Sequence, residues 1–137
     1  MSGIPVFLRK LVIRRANNCC EYCHLSQTGQ EATFHIDHVM PIVSGGETIA
    51  QNLALACVSC SLRKGAKEKA ADPQTGEEVP LFNPRHNIWN EHFNWSGVRL
   101  NGLTPTGRAT VNLLQMNRSL ILAIREEEIV LGRHPIH

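Results

Sequence analysis

Apolar residues recur at helical spacing near the start of the chain. They lie three or four positions apart, which is the period of one face of an α-helix. These residues are Phe7, Leu8, Leu11, Val12 and Ala16. The pattern predicts a helix over residues 5–17, with Pro5 in its first turn and the Asn17-Asn18 pair at its end.

The next apolar stretches are short and predict two strands followed by a helix. Residues 32–39 read as a strand that Met40-Pro41 ends, and residues 44–47 read as a loop. Residues 53–56 predict a second strand, and residues 58–66 predict a helix.

The second half of the chain predicts a hairpin and two helices. Residues 70–84 are rich in turn residues and read as a connector. Residues 91–103 predict a hairpin with Ser96-Gly97 at its tip. Thr104 and Pro105 predict the start of a helix that ends near Asn117. A last helix is predicted from Leu120 to Leu131, with Ser119 as its cap and Gly132 after its end.

Length and composition predict one domain of the α+β class. The 137 residues, 42% of them hydrophobic, suffice for a single domain over 1–137 with a modest core. Residues 72–137 are expected to pack on the first half as an extension. No apolar run reaches membrane length and the start lacks a signal-peptide pattern, so we expect a cytoplasmic protein without membrane contact.

Five cysteines give the chain its clearest chemical signal. Cys20 and Cys23 form one Cys-x-x-Cys pair, Cys57 and Cys60 form another, and Cys19 is left over. The odd count and the missing secretion signal argue against a disulfide framework. Two such pairs offer four thiolates in tetrahedral arrangement, so we predict a structural Zn²⁺ site. The alternatives are reduced buried cysteines or a redox pair.

The residues between the two pairs point to a family. The order is His35-Ile-Asp37-His38, then Gly45-Gly46, then Asn52-Leu, then Ser61-Leu-Arg-Lys64 after the last cysteine. This order resembles the HNH endonuclease family, specifically members whose ββα-metal motif lies between two zinc-binding cysteine pairs. The run Gly-Leu-Thr-Pro-Thr-Gly-Arg108 is similar to one in small stand-alone bacterial HNH proteins. The resemblance implies a zinc-stabilised ββα core over residues 20–67.

The resemblance also implies a reaction and a role for each residue. The family's chemistry is metal-dependent hydrolysis of DNA, expected here on double strands, leaving 5′-phosphate and 3′-hydroxyl ends. Asp37 would bind a catalytic Mg²⁺ or Mn²⁺, and His38 would be the general base. Asn52 would hold the loop between the two strands and orient His38 by hydrogen bonding. The residues expected to contact phosphates are Arg63, Lys64 and Lys67.

One position departs from the family pattern. Such proteins usually place Asn or His directly after the last cysteine as a second metal ligand, but this chain has Ser61. His35 lies two residues before Asp37 and would share its face of the strand, so it offers a replacement ligand. An imidazole there would favour Mn²⁺, Ni²⁺ or Zn²⁺ over Mg²⁺. The alternatives are a site that binds metal poorly and a His35 that is an ordinary strand residue with a satisfied side chain.

Two other functions compete with a nuclease. Ser61 and the net charge of +2 are compatible with a catalytically weak or silent zinc module that binds DNA or a protein. The basic residues of the first helix form either a solvated face or a DNA-facing stripe. A zinc redox sensor that uses Cys19 is the third hypothesis, and it gives no reason for the Asp-His and Asn-Leu elements. The sequence leaves the oligomeric state open.

Overall fold

The computed structural model describes residues 3–136. Within this range three separate antiparallel strand pairs alternate with five α-helices. The helices are α1 (Val6–Arg15), α2 (Val58–Lys64), α3 (Trp89–His92), α4 (Pro105–Leu113) and α5 (Ser119–Val130). The strands are β1 (His35–His38), β2 (Leu53–Ala56), β3 (Lys69–Ala71), β4 (Glu78–Pro80), β5 (Phe93–Ser96) and β6 (Arg99–Gly102). This mixture confirms the predicted α+β class.

The central unit is the predicted strand-strand-helix. β1 pairs antiparallel with β2, with His35 opposite Ala56 and His38 opposite Leu53. All four residues of β2 are buried, and its predicted bounds are confirmed. β1 is shorter than the predicted 32–39. In the segment before β1, the backbone bonds to the Gln27 side chain, which accepts from the Phe34 amide and donates to the Ala32 carbonyl.

Helix α1 packs against this unit through two apolar residues. Leu8 and Val12 are buried, whereas Phe7 of the predicted apolar face is exposed. Arg15 donates to the Ala50 carbonyl at 3.0 Å and to the Leu53 carbonyl at 2.6 Å. Arg15 therefore fastens the end of α1 to the start of β2.

The predicted connector over residues 70–84 is wrong in one respect, because it contains a small hairpin. β3 and β4 pair antiparallel, with Ala71 opposite Glu78. The turn forms at the predicted place, where Asp72 accepts from the Gln74 amide and the Thr75 hydroxyl. The Arg108 guanidinium donates to both Asp72 carboxylate oxygens, so it attaches α4 to this turn.

The C-terminal part follows the predictions with three local differences. The β5–β6 hairpin lies within the predicted range, but the short helix α3 before it was not predicted. The Thr104 hydroxyl accepts from the Gly107 amide, which confirms the predicted cap. α4 ends at Leu113 instead of Asn117. Ser119 is the first residue of α5, so its prediction as the cap is wrong.

Both halves contribute to one cluster of buried residues. It joins Tyr22 and Leu55 from the first half with Phe93 and Ile121 from the second. The Trp89 indole donates to the Tyr22 carbonyl at 2.9 Å, which adds a polar contact across the same boundary. None of the helices among the described residues has the length and apolar character that a membrane crossing requires.

Candidate zinc site and active site

The two Cys-x-x-Cys turns bring their four sulfurs together. The Sγ atoms of Cys20, Cys23, Cys57 and Cys60 lie within 4.8 Å of one another, and all four residues are buried. The Cys23 and Cys57 sulfurs are 3.7 Å apart. Tetrahedral Zn²⁺ with bonds of about 2.3 Å separates its sulfurs by roughly 3.8 Å. The donor set and spacing fit zinc, and these four residues could hold the ion.

The polar surroundings of the sulfurs also suit thiolates. The Cys23 amide donates to the Cys20 sulfur, and the Cys60 amide donates to the Cys57 sulfur at the start of α2. Hydrogen bonds from the neighbouring cysteines lower the pKa of Cys57, whereas burial raises the pKa of Cys20. A metal that displaces the shared protons would bind all four sulfurs as thiolates. Cys19 lies outside this group, and burial raises the pKa of its thiol.

A second candidate site lies on β1, in an open cleft of about 360 Å³. Asp37 and His35 both line it, as expected for alternate residues of one strand, together with His38 and Ser61. Half of its other lining residues, Pro41, Ile42 and Val43, come from the loop after β1, and Gly65 and Ala66 follow α2.

Asp37 is largely buried, and its carboxylate is held by two side chains. The Tyr22 hydroxyl donates to Oδ2 at 2.7 Å, and Lys64 Nζ lies 3.2 Å from the same oxygen. Burial, and after it the Asp37 charge, raises the pKa of Tyr22 well above its ordinary value, so Tyr22 stays a neutral donor. Lys64 Nζ is 3.4 Å from Oδ1, which keeps lone pairs for a further ligand.

The position of Lys64 differs from the predicted phosphate contact. The residue is only 2% exposed, and its ammonium also donates to the His38 and Val39 carbonyls at 3.3 Å. A surface lysine would extend into solvent, but this side chain crosses the interior toward Asp37. Arg63 and Lys67 are exposed, so they alone of the three predicted contacts have access to a phosphate.

His35 and Ser61 form a pair. His35 Nδ1 lies 2.8 Å from the Ser61 hydroxyl oxygen. A histidine that ligates a metal through one ring nitrogen commonly has its other nitrogen held by a hydrogen-bond partner. With Nδ1 held by Ser61, Nε2 of His35 is the nitrogen that could bind a cation. The Ser61 hydroxyl therefore contacts the histidine, and Ser61 itself lines the cleft.

His38 is fixed by a residue that the sequence did not single out. Its Nε2 lies 2.9 Å from the Thr48 hydroxyl oxygen. If Nε2–H donates to Thr48, the Nδ1 lone pair is free to accept a proton, which is what a general base requires. Thr48 lies in the loop after β1, and a lone threonine there carries no sequence signal for this contact.

Asn52 holds the loop that was predicted to depend on it. Its Oδ1 accepts from the Met40 amide, and its Nδ2 donates to the carbonyls of Met40 and Glu47. A methyl group at Gly46 would lie 1.8 Å from the Met40 carbonyl oxygen, so this turn requires glycine. Asn52 shapes the loop that carries Thr48, and Thr48 is the residue that contacts the His38 ring.

Tyr22 is the other residue that the sequence analysis missed. It lies between Cys20 and Cys23, and Lys64 follows Cys60 within one turn of α2. The two turns that carry the cysteines therefore also carry both partners of Asp37. The sequence shows a tyrosine inside a Cys-x-x-Cys turn, but this does not specify which residue its hydroxyl contacts.

The comparisons with known proteins agree with this geometry. Residues 20–67 match the HNH endonuclease family. The chain is also similar to the Septu protein PtuB of Bacillus thuringiensis, at 21% identity over 114 residues. That similarity covers 82% of this chain and 42% of the relative, so the chain spans less than half of that protein's length. No solved structure matches the chain. Residues 20–67 are therefore similar to the HNH endonuclease family, and they include four cysteines that are arranged as a possible zinc site.

Proposed function

We propose that this chain is a metal-dependent endonuclease that hydrolyses phosphodiester bonds in DNA. The observation that carries the proposal is the placement of Asp37 and His38 side by side on β1, in an open cleft within the region that matches the HNH family. A nuclease needs a cation ligand and a base within reach of one phosphate, and Asp37 and His38 both line this cleft.

Each residue has a proposed role. Asp37 holds a divalent cation, Mg²⁺ or Mn²⁺, through Oδ1, with His35 Nε2 as a second ligand. When bound, this cation would stabilise negative charge on the scissile phosphate and the departing oxygen. His38 accepts the proton of the attacking water, and Thr48 keeps its ring in place. Arg63 and Lys67 contact flanking phosphates. The four cysteines bind Zn²⁺ and hold both ends of the region, and residues 1–137 work as one unit.

Plasmid nicking tests the proposal. Wild type and His38→Ala are compared in Mg²⁺, Mn²⁺ and Ni²⁺, with His86→Ala as the matched control. His86 is exposed and lies outside the cleft. We expect His38→Ala to slow cleavage by about 10²–10⁴-fold and His86→Ala to leave it unchanged. Equal activity of wild type and His38→Ala in every metal would refute the assignment.

A second candidate is a zinc module that binds DNA without cutting it. The observation that favours it is the Lys64 ammonium, which already neutralises Asp37. In that case wild type would bind DNA with an affinity that falls as salt rises, and it would show no metal-dependent nicking.

A further inference from the structure

Lys64 is a fixed internal charge of the candidate active site. An ammonium has three N–H donors. Those of Lys64 are directed to the Asp37 carboxylate and to the carbonyls of His38 and Val39. With all three donors satisfied and the side chain 2% exposed, Lys64 cannot reach a phosphate without leaving the interior.

This fixed charge leaves the cleft without net negative charge. Among the described residues that line the cleft, Asp37 is the one acidic side chain. Its charge of −1 is balanced by the +1 of Lys64 at 3.2 Å. The other candidate ligand groups, the His35 imidazole and the Ser61 hydroxyl, add no charge when they bind a cation. The protein alone therefore offers a divalent cation a neutral site beside an ammonium, where Coulomb repulsion opposes binding.

The small number of protein ligands also predicts that the protein alone binds a divalent cation weakly. Within residues 3–136 the four cysteines are the one group of three or more His, Cys, Asp or Glu side chains close enough to enclose a metal. The Asp37 site has Asp37 Oδ1 and His35 as its protein donors. Mg²⁺ commonly binds in this way, through one or two carboxylates that are completed by substrate phosphates.

We propose that Lys64 makes binding of the catalytic cation depend on the substrate. This inference rests on the proposed nuclease function and adds an order of binding, in which DNA comes before the cation. The site binds a divalent cation weakly by itself and tightly once a DNA phosphate lies in the cleft, because the phosphate supplies the negative charge that Lys64 cancels. Since coupling between two ligands is reciprocal, the cation must raise DNA affinity by the same factor. Lys64 is thus a positioning and charge-setting residue that touches Asp37 and not the substrate.

Mn²⁺ binding measures this coupling directly. Free Mn²⁺ is followed by electron paramagnetic resonance during titration of zinc-loaded His38→Ala protein, which is expected to bind without cutting. Titrations are run with and without a short DNA duplex. Duplex alone, and duplex with the Asp37→Asn/His38→Ala protein, give the Mn²⁺ that DNA itself binds. We expect the duplex to tighten Mn²⁺ binding by about tenfold or more, a change that corresponds to ~1.4 kcal/mol.

Substitution of Lys64 tests the cause of the coupling. Lys64→Met in the same background should tighten Mn²⁺ binding without DNA and shrink the gain that DNA gives. Lys69→Met is the matched control, because Lys69 is an exposed lysine on β3 that lies outside the cleft. It should leave Mn²⁺ binding without DNA unchanged.

The outcomes separate this inference from the nuclease assignment. Metal-dependent cleavage by wild type, together with Mn²⁺ affinity that is the same with and without DNA, would overturn the inference and leave the function standing. Unchanged DNA-free Mn²⁺ affinity in Lys64→Met would also overturn it. If Lys64→Met does not fold, the comparison with and without DNA decides alone.

Discussion

The cysteine cluster and the Asp37 cleft differ in how they are closed, although the segments that carry the cysteines also supply Tyr22 and Lys64, the partners of Asp37. In the cluster four buried sulfurs face one another and could enclose an ion completely. In the cleft the Asp37 carboxylate has partners on one side and open space on the other. Closed coordination is typical of structural metal sites, and an open position is typical of catalytic ones. Under the proposed function, the cluster would contribute stability and the cleft would carry the chemistry.

A second buried carboxylate sharpens this contrast. Asp72 is fully buried, and both of its oxygens accept from Arg108, at 3.0 Å and 2.8 Å. The Gln74 amide and the Thr75 hydroxyl supply two more donors, so the hydrogen-bonding capacity of the carboxylate is filled. In Asp37, by contrast, Oδ1 is nearly free of hydrogen-bond donors, so its lone pairs remain available to bind a metal ion.

Removing one cysteine ligand should have the largest effect. Cys57→Ser is expected to abolish stoichiometric zinc binding and to lower the Tm by roughly 10 °C or more, because zinc binding contributes directly to folding. Zinc analysis and thermal melting measure both effects. Cys19→Ser is the matched control, since Cys19 is also buried but lies outside the cluster. Equal zinc content in the two variants would show that the cluster does not hold a structural zinc ion.

Tyr22→Phe should separate the two sites, although Tyr22 lies in a zinc turn. Loss of a hydrogen bond to a charged carboxylate should cost about 1.5–3 kcal/mol of unfolding free energy. We expect zinc content to stay stoichiometric while Mn²⁺-dependent cleavage falls, since Asp37 Oδ2 loses its 2.7 Å donor. Denaturant unfolding, zinc analysis and nicking assays measure the three quantities. A variant that loses zinc would show that cluster and cleft are one unit.

Asn52→Ala should disturb the cleft alone. The variant loses three hydrogen bonds to the backbone of the loop after β1, which is largely exposed, so we expect a stability loss of about 1–2 kcal/mol. The cleavage rate should fall by more than the loss of stability explains, because the loop carries the Thr48 partner of His38. Gln51→Ala, at the exposed neighbouring position, is the control for denaturant unfolding and nicking. Cleavage equal to that of Gln51→Ala would argue against a role for the loop.

Local signals made much of the fold predictable from sequence. The cysteine spacing, the Leu53–Ala56 strand and the Thr104-Pro105 helix start each depend on neighbours in the chain. The β3–β4 hairpin escaped prediction because its strands are three residues long and half-exposed, so no alternation marks them.

The candidate site was predictable only in part. Asp37, His38 and the four cysteines are marked by their order and spacing, and the structure brings each group together. The contacts of Tyr22 and Lys64 depend on where two distant turns meet, since Lys64 lies 27 positions from Asp37. From the sequence, a single lysine after a cysteine pair is expected to be an exposed cation. Lys64 is buried instead, because of tertiary packing that the local sequence does not show.

The smallest expected effect is the pH response of the Asp72–Arg108 pair, which belongs to neither site. Hydrogen bonds from Arg108 lower the pKa of Asp72 from 3.8 to about 2. A carboxyl whose folded-state pKa is lowered stabilises the protein above its ordinary pKa, and it loses that contribution as pH falls from 3.8 toward 2. The difference in Tm between wild type and Asp72→Asn should therefore stay constant from pH 8 to pH 5, where the carboxylate is ionised in both states. Thermal melts with excess zinc at three pH values in this range measure it. A difference that changes between pH 8 and pH 5 would mean that Asp72 takes up a proton in this range in the folded protein, so its pKa would be raised instead of lowered, and Asp72 would no longer serve as the closed counterpart of Asp37.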